Sequence, residues 1–246
     1  MPGENAIGAG RPGVVIFTGP SLHPCKAATL LDATYLPPIK RGDLTPLFAS
    51  KPRIVGIIDG EFYQSLAVTP KEVLALLEAG IAVYGAASMG ALRAVELHRY
   101  GMIGVGSVFR LFRRGVLDAD DEVALAYSNE TYHAVSEPLV NTRYALRAAV
   151  RRGILMKAEA AEIVSTIKRL YFPERTRQLV LSTARKVAGS ERAHKLHEFL
   201  ATEAPDVKAR DARLLLERIR RDIGRHRLPV RETDSRYTFG VAGPER

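Results

Sequence analysis

Tryptophan is absent and cysteine occurs once, at Cys25. A single thiol excludes an intramolecular disulfide, and the Cys-rich zinc spacings cannot be built from it. A reducing cytoplasm is the expected setting. Long apolar runs are missing too. No stretch approaches the roughly 18 apolar residues of a membrane-spanning helix, and the opening MPGENAIGAGRPG lacks the basic flank and apolar run of a secretory signal. The expectation is a protein neither secreted nor membrane-spanning. Its 246 residues, 46% hydrophobic, suffice for one sizeable core, or for a core with a smaller appended unit.

Charge is unevenly divided. Residues 1–150 carry 14 Lys plus Arg against 14 Asp plus Glu, whereas residues 151–246 carry 22 against 13, so the whole excess of +9 lies in the second part. A basic surface there would steer an acidic protein as readily as a nucleic acid. No aromatic residues interleave with the cations to stack on bases, which argues against nucleic acid.

Three short apolar runs in the first hundred residues each end at turn-forming residues and read as strands. Val14-Val15-Ile16-Phe17 runs into Thr18-Gly19-Pro20-Ser21, Ile54-Val55-Gly56-Ile57-Ile58 into Asp59-Gly60, and Ile81-Ala82-Val83-Tyr84 into Gly85-Ala86-Ala87-Ser88. Between the second and third, Thr69-Pro70-Lys71-Glu72 has the form of a capping box with Pro at the first helical position, and Gly80 stops the helix. Near-continuous apolar strands separated by helices predict an α/β fold, a mostly parallel sheet with flanking helices and its loops gathered on one edge. From Asn141 onward no strand is expected. Residues 157–170, 174–188, 191–203 and 207–226 show helical spacing, so residues 1–150 are expected to form an α/β core and residues 151–246 a basic helical region with a flexible tail from Leu228.

The strongest local signal is Tyr84-Gly85-Ala86-Ala87-Ser88-Met89-Gly90-Ala91, where a strand meets a helix through small residues surrounding one serine. Small neighbours permit a sharp turn of the nucleophile-elbow kind, with Ala86 in the place of the first glycine of Gly-x-Ser-x-Gly. The backbone N–H of Met89 would face an oxyanion. The competing reading makes Ser88 a plain N-cap. No His-plus-acid set accompanies it: His98 is about 15 Å along the same helix. A lysine can serve as base if burial or a cationic neighbour keeps it neutral. Lys40, stiffened by Pro37 and Pro38 and flanked by Arg41, is a candidate, against the reading of a solvated loop lysine. Ser21 is either a substrate-holding or nucleophilic serine or the N-cap of a helix beginning near Pro24. Asp59 either orients the lysine or forms a turn with Gly60.

Other motifs lead less far. The acidic cluster Asp118, Asp120, Asp121 and Glu122 reads as the cap of a helix beginning near Val123 rather than as a cation site. Gly8-Ala9-Gly10-Arg11-Pro12-Gly13 has the letters of a dinucleotide loop but precedes a strand instead of following one. No Gly-Lys-Ser or Gly-Lys-Thr loop occurs, so no phosphate cradle for ATP is evident. His194 and His197 read as solvated. Cys25, beside His23 and Lys26, could carry a persulfide; a small buried cysteine is the competing reading.

Taken in order, Thr18-Gly19-Pro20-Ser21-Leu22, Pro37-Pro38-Ile39-Lys40-Arg41-Gly42-Asp43, Asp59-Gly60-Glu61-Phe62 and the segment Gly85–Leu97 resemble the core of the TfuA-like proteins, and Gly101–Gly106 and Asp120–Ala124 continue the likeness. It spans residues 14 to about 147. The resemblance implies a partner of YcaO enzymes, which use ATP to activate a backbone amide for replacement of oxygen by sulfur. It further implies hydrolysis of a thiocarboxylated, ThiS-like ubiquitin-fold sulfur carrier by a Ser/Lys pair, and help in holding the peptide substrate. Carried over by position, the pair is Ser88 and Lys40. Ser21, Asp59, Arg41, Met89 and Arg93 would support it, the two arginines attracting an anionic carrier terminus. No cofactor is expected in this chain. A persulfide sulfurtransferase acting through Cys25, or a non-catalytic adaptor or basic nucleic-acid-binding protein, is the alternative.

Overall fold

The computed structural model describes residues 13–62 and 65–225. Residues 8–12 of the glycine-rich stretch and the tail from Leu228 lie outside them. In chain order the elements are β1 (Val14–Phe17), α1 (Pro24–Ala28), β2 (Thr34–Leu36), α2 (Leu47–Ser50), β3 (Ile54–Ile57), α3 (Pro70–Glu78), β4 (Ala82–Gly85), α4 (Met89–Leu97), β5 (Ile103–Gly104) and α5 (Gly106–Arg113). Five longer helices follow: α6 (Leu139–Arg151), α7 (Lys157–Lys168), α8 (Arg177–Ala188), α9 (Ser190–Thr202) and α10 (Val207–Gly224).

The sheet is parallel throughout, in the order β2-β1-β3-β4-β5. β1, β3 and β4 are buried along their whole length, as apolar strands covered on both faces must be. Alternation sorts their side chains. Val15, Phe17, Val55, Ile57 and Val83 join the core that holds α3 and α4, while Val14, Ile16, Ile54 and Tyr84 join the core that holds Leu215 and Ile219 of α10. β2 and β5 escape the sequence pattern because they are three and two residues long, too short for a period to register.

The expected box at α3 is present: Thr69 Oγ1 accepts from the Glu72 N–H, and the Glu72 carboxylate accepts from the Thr69 N–H at 2.8 Å. The acidic cluster does not cap a helix at Val123. Residues 120–122 form a single 3-10 turn, because their carboxylates are drawn to cations of the helical region instead. Glu122, buried, receives the Arg143 guanidinium at 2.7 and 2.9 Å, and Asp121 pairs with buried Arg175.

The helical half divides between two cores. α6 to α9 gather around Leu146, Ile163, Leu196 and Phe199, whereas α10 returns to the sheet. Three polar ties hold it there. Asn141 Oδ1 on α6 accepts from the Val207 and Lys208 N–H groups, Asp211 accepts from the Val108 N–H of α5 at 2.7 Å, and the Tyr84 hydroxyl of β4 donates to Asp222 at 2.9 Å. Among the described residues no helix is long and apolar enough to cross a membrane.

Candidate functional site

In an open parallel sheet a crevice opens outside the strand C-termini where the strand order reverses. Here that point lies between β1 and β3. The loops after β1 and β3 meet there directly. Asp59, 2% exposed, accepts from the Gly19 and Ser21 N–H groups at 3.0 and 2.9 Å and from the Ser21 hydroxyl at 2.6 Å. Asp59 is therefore a buried anchor of the β1 loop rather than an exposed turn former. Ser21 does not cap α1; that cap is His23, whose Nδ1 accepts from the Cys25 N–H.

One strand further along, β4 turns into α4 at Ser88. The turn is tight because Ala87 takes φ +64° and the Ser88 N–H donates to the Ala86 carbonyl at 2.7 Å, a γ-turn of the rare strained hand. Such a residue costs of order 1–3 kcal/mol and persists only where its surroundings hold it. The strain falls on Ala87, one residue ahead of the serine. Glycine is required on either side for a different reason. A Cβ on Gly85 would lie 2.0 Å from the Gly90 carbonyl oxygen, and one on Gly90 1.8 Å from that of Ile57. The helix thus touches the strands backbone to backbone, which brings Ser88 inside the fold at 2% exposure. Its hydroxyl does not cap α4. It reaches instead to the Val123 carbonyl at 3.4 Å, long for a hydroxyl bond, so the group is only weakly held. The Met89 N–H, first in the helix, has no intrahelical acceptor.

The same Val123 carbonyl accepts from Lys208 Nζ at 2.7 Å. Lys208 comes from the first turn of α10, is 2% exposed, and approaches Ser88 from the far end of the chain. Burial pulls its ammonium below the ordinary lysine range, against the opposing attraction of Asp59 and Asp206. These are the conditions under which a lysine can hold a free electron pair near neutrality. The neighbouring Tyr127 hydroxyl is pushed up by burial, with the Glu61 and Asp59 charges adding.

The lysine expected from the loop is elsewhere. Lys40 is exposed and its backbone N–H donates to Asp43. Arg41 is also exposed, and Arg93 on α4 is paired with Glu96. The structure therefore brings together Ser21, Asp59, Ser88, Met89 and Lys208. Lys208 was missed because, beside an acidic N-cap in a charge-rich helix, it looks like any solvated lysine. The one available signal is its place at the second position of a helix whose later residues are apolar at helical spacing. Cys25 is exposed, not buried, and among the described residues no group of His, Cys, Asp and Glu could hold a metal.

These features define an α/β protein with a buried serine and lysine converging at the carboxyl edge of a parallel sheet. Residues 59–176 match the family model described as TfuA-like protein. The match takes in Asp59, Ser88 and Val123 and ends before α10. No curated protein matches the chain. That match supports an accessory role beside YcaO enzymes in thioamidation.

Proposed function

We propose that the chain hydrolyses the C-terminal thiocarboxylate of a ThiS-like sulfur carrier, with Ser88 as nucleophile and Lys208 as general base, and delivers hydrosulfide to a YcaO partner that it also helps to hold peptide. One observation carries this reading: Ser88 Oγ and the desolvated Lys208 Nζ converge on a single carbonyl oxygen. In the reaction, neutral Lys208 takes the Ser88 proton as Oγ bonds to the thiocarboxylate carbon, and the Met89 N–H supports the oxyanion. Collapse breaks the C–S bond, and the Lys208 ammonium returns the proton to the departing sulfur as hydrosulfide. Water, deprotonated by Lys208, then cleaves the acyl-serine to give a carboxylate and restore Ser88. Nothing in these steps needs a cofactor on this chain; ATP is used by YcaO.

The test is hydrosulfide release from a thiocarboxylated carrier. Ser88→Ala, folded as judged by circular dichroism, is expected to lose release, while Ser21→Ala retains it. The reverse outcome would move the nucleophile to Ser21. A folded Cys25→Ala protein that is inactive, with persulfide on Cys25 in the parent, would favour the sulfurtransferase reading instead.

Asn141 supplies a second check, because its Oδ1 accepts from the N–H groups that begin α10. Asn141→Ala should cost about 1–2 kcal/mol of stability, as loss of a cap does. By letting water reach Lys208 it should also move the rising limb of the pH–rate profile to higher pH. A purely structural Asn141 would lower stability and leave that limb in place.

A further inference from the structure

Away from this site, α6 and α7 enclose a groove of about 670 Å³. Its floor is apolar, formed by Leu146 and Val150 of α6 and by Ala160, Ala161 and Val164 of α7. Its charged lining is of one sign. Arg147 and Arg151 stand one helical turn apart along α6, and Lys157 opens α7; all three are exposed, and none has an ion-pair partner among the described residues. Arg143 and Lys168 also line the groove but are engaged by Glu122 and Asp118. No carboxylate lines it.

We propose that this groove docks an amphipathic helix of a protein partner, with its apolar stripe on the α6–α7 floor and carboxylates flanking that stripe against Arg147, Arg151 and Lys157. Charge complementarity selects an acidic occupant. The secondary structure of the walls selects a helix. Both walls are helices whose backbone groups are already paired, so an extended segment laid between them would find no strand edge and would leave its own N–H and C=O groups unsatisfied. A helix satisfies its backbone internally and offers one apolar stripe. Small floor residues, Ala160 and Ala161, permit close approach, and Arg147 and Arg151, about 6 Å apart along the axis, match acidic residues one turn apart on the guest. The lining contains no aromatic ring on which a base could stack, which disfavours a nucleic acid.

The probe is a synthetic 18-residue peptide with leucines at helical spacing flanked by glutamates, followed by fluorescence anisotropy with the full chain. Binding is expected, with gain of helical circular dichroism. It should weaken at least about tenfold with R147E/R151E, since each reversal replaces attraction by repulsion, and similarly with A161E, which puts a like charge on the floor. All three positions are exposed, so the variants should fold as the parent does. A lysine-flanked version of the peptide should prefer R147E/R151E over the parent. The proposal is overturned if the acidic peptide binds parent and variants equally or not at all. It is equally overturned if a single-stranded oligonucleotide or an anionic vesicle competes for these residues more tightly than the peptide. Peptide binding is read without hydrosulfide release, so failure here leaves the Ser88 chemistry untouched, and the converse also holds.

Discussion

Lys208→Met is expected to lower hydrosulfide release by roughly 10²- to 10⁴-fold, the range that a positioned general base contributes, while Lys40→Met leaves it near the parent rate. Methionine keeps most of the lysine stem and gives up only the titrating nitrogen, so loss of activity should not come with loss of fold. Stability should change in the opposite sense from activity. Burial lowers the folded-state pKa of Lys208 from its ordinary 10.5. Between the lowered value and the ordinary one the unfolded chain binds the extra proton, so parental stability rises with pH across that window and sits at its low plateau beneath it. Lys208→Met removes this contribution. Its stability should equal or exceed the parent's at neutral pH, and the parent's rise on the alkaline side should be absent. Lys208→Arg, which cannot deprotonate there, should be inactive as well. An active Lys208→Met protein with the parental pH–rate profile would exclude Lys208 as the base, and loss of release in Lys40→Met alone would return the role to Lys40.

Gly90→Ala should be the most damaging glycine-to-alanine change among the described residues. The added Cβ would lie 1.8 Å from the Ile57 carbonyl oxygen, which belongs to the central sheet and cannot swing aside as a side chain could. Overpacking typically costs about 1–3 kcal/mol, and more where the backbone must yield. The expectation is at least about 3 kcal/mol, or a fall in Tm of roughly 10 °C for a chain of this size. Any protein that still folds should also lose hydrosulfide release, because α4 can admit the methyl only by lifting Ser88 away from Val123. Gly224→Ala is the control. Nothing lies within 4 Å of its Cβ position, and alanine in a helix should stabilise by up to about 1 kcal/mol. Equal melting temperatures for the two variants would contradict the backbone contact between α4 and β3.

Local chemistry was legible wherever it depends on near neighbours in the chain. The capping box at Thr69 and Glu72, the stop at Gly80 and the small-residue turn around Ser88 can each be read from a handful of consecutive residues, and each is present. The four helices from residue 157 onward emerge close to where their apolar spacing places them. β2 and β5 could not be read, since two or three residues do not make a period. The helix expected after the acidic cluster does not form, because Glu122 and Asp121 pair with Arg143 and buried Arg175 from later segments that no local pattern shows.

By itself the sequence determined the α/β class, the parallel sheet, the helical second half and the serine at the end of β4, because these follow from periodicity and from short-range steric rules. Only the tertiary structure shows which lysine shares a carbonyl with that serine. Lys40 is closer in sequence and carries the more suggestive surroundings, yet it is exposed; Lys208 is 85 residues from Val123, the carbonyl it shares with Ser88. Whether an amine is buried depends on where its helix docks. That docking is set by Asn141 of α6 holding the first N–H groups of α10, and by Asp211 and Asp222 of α10 holding α5 and β4, while Leu215 and Ile219 cover the sheet. Desolvation belongs to the assembled fold, and so does the lowered pKa of Lys208.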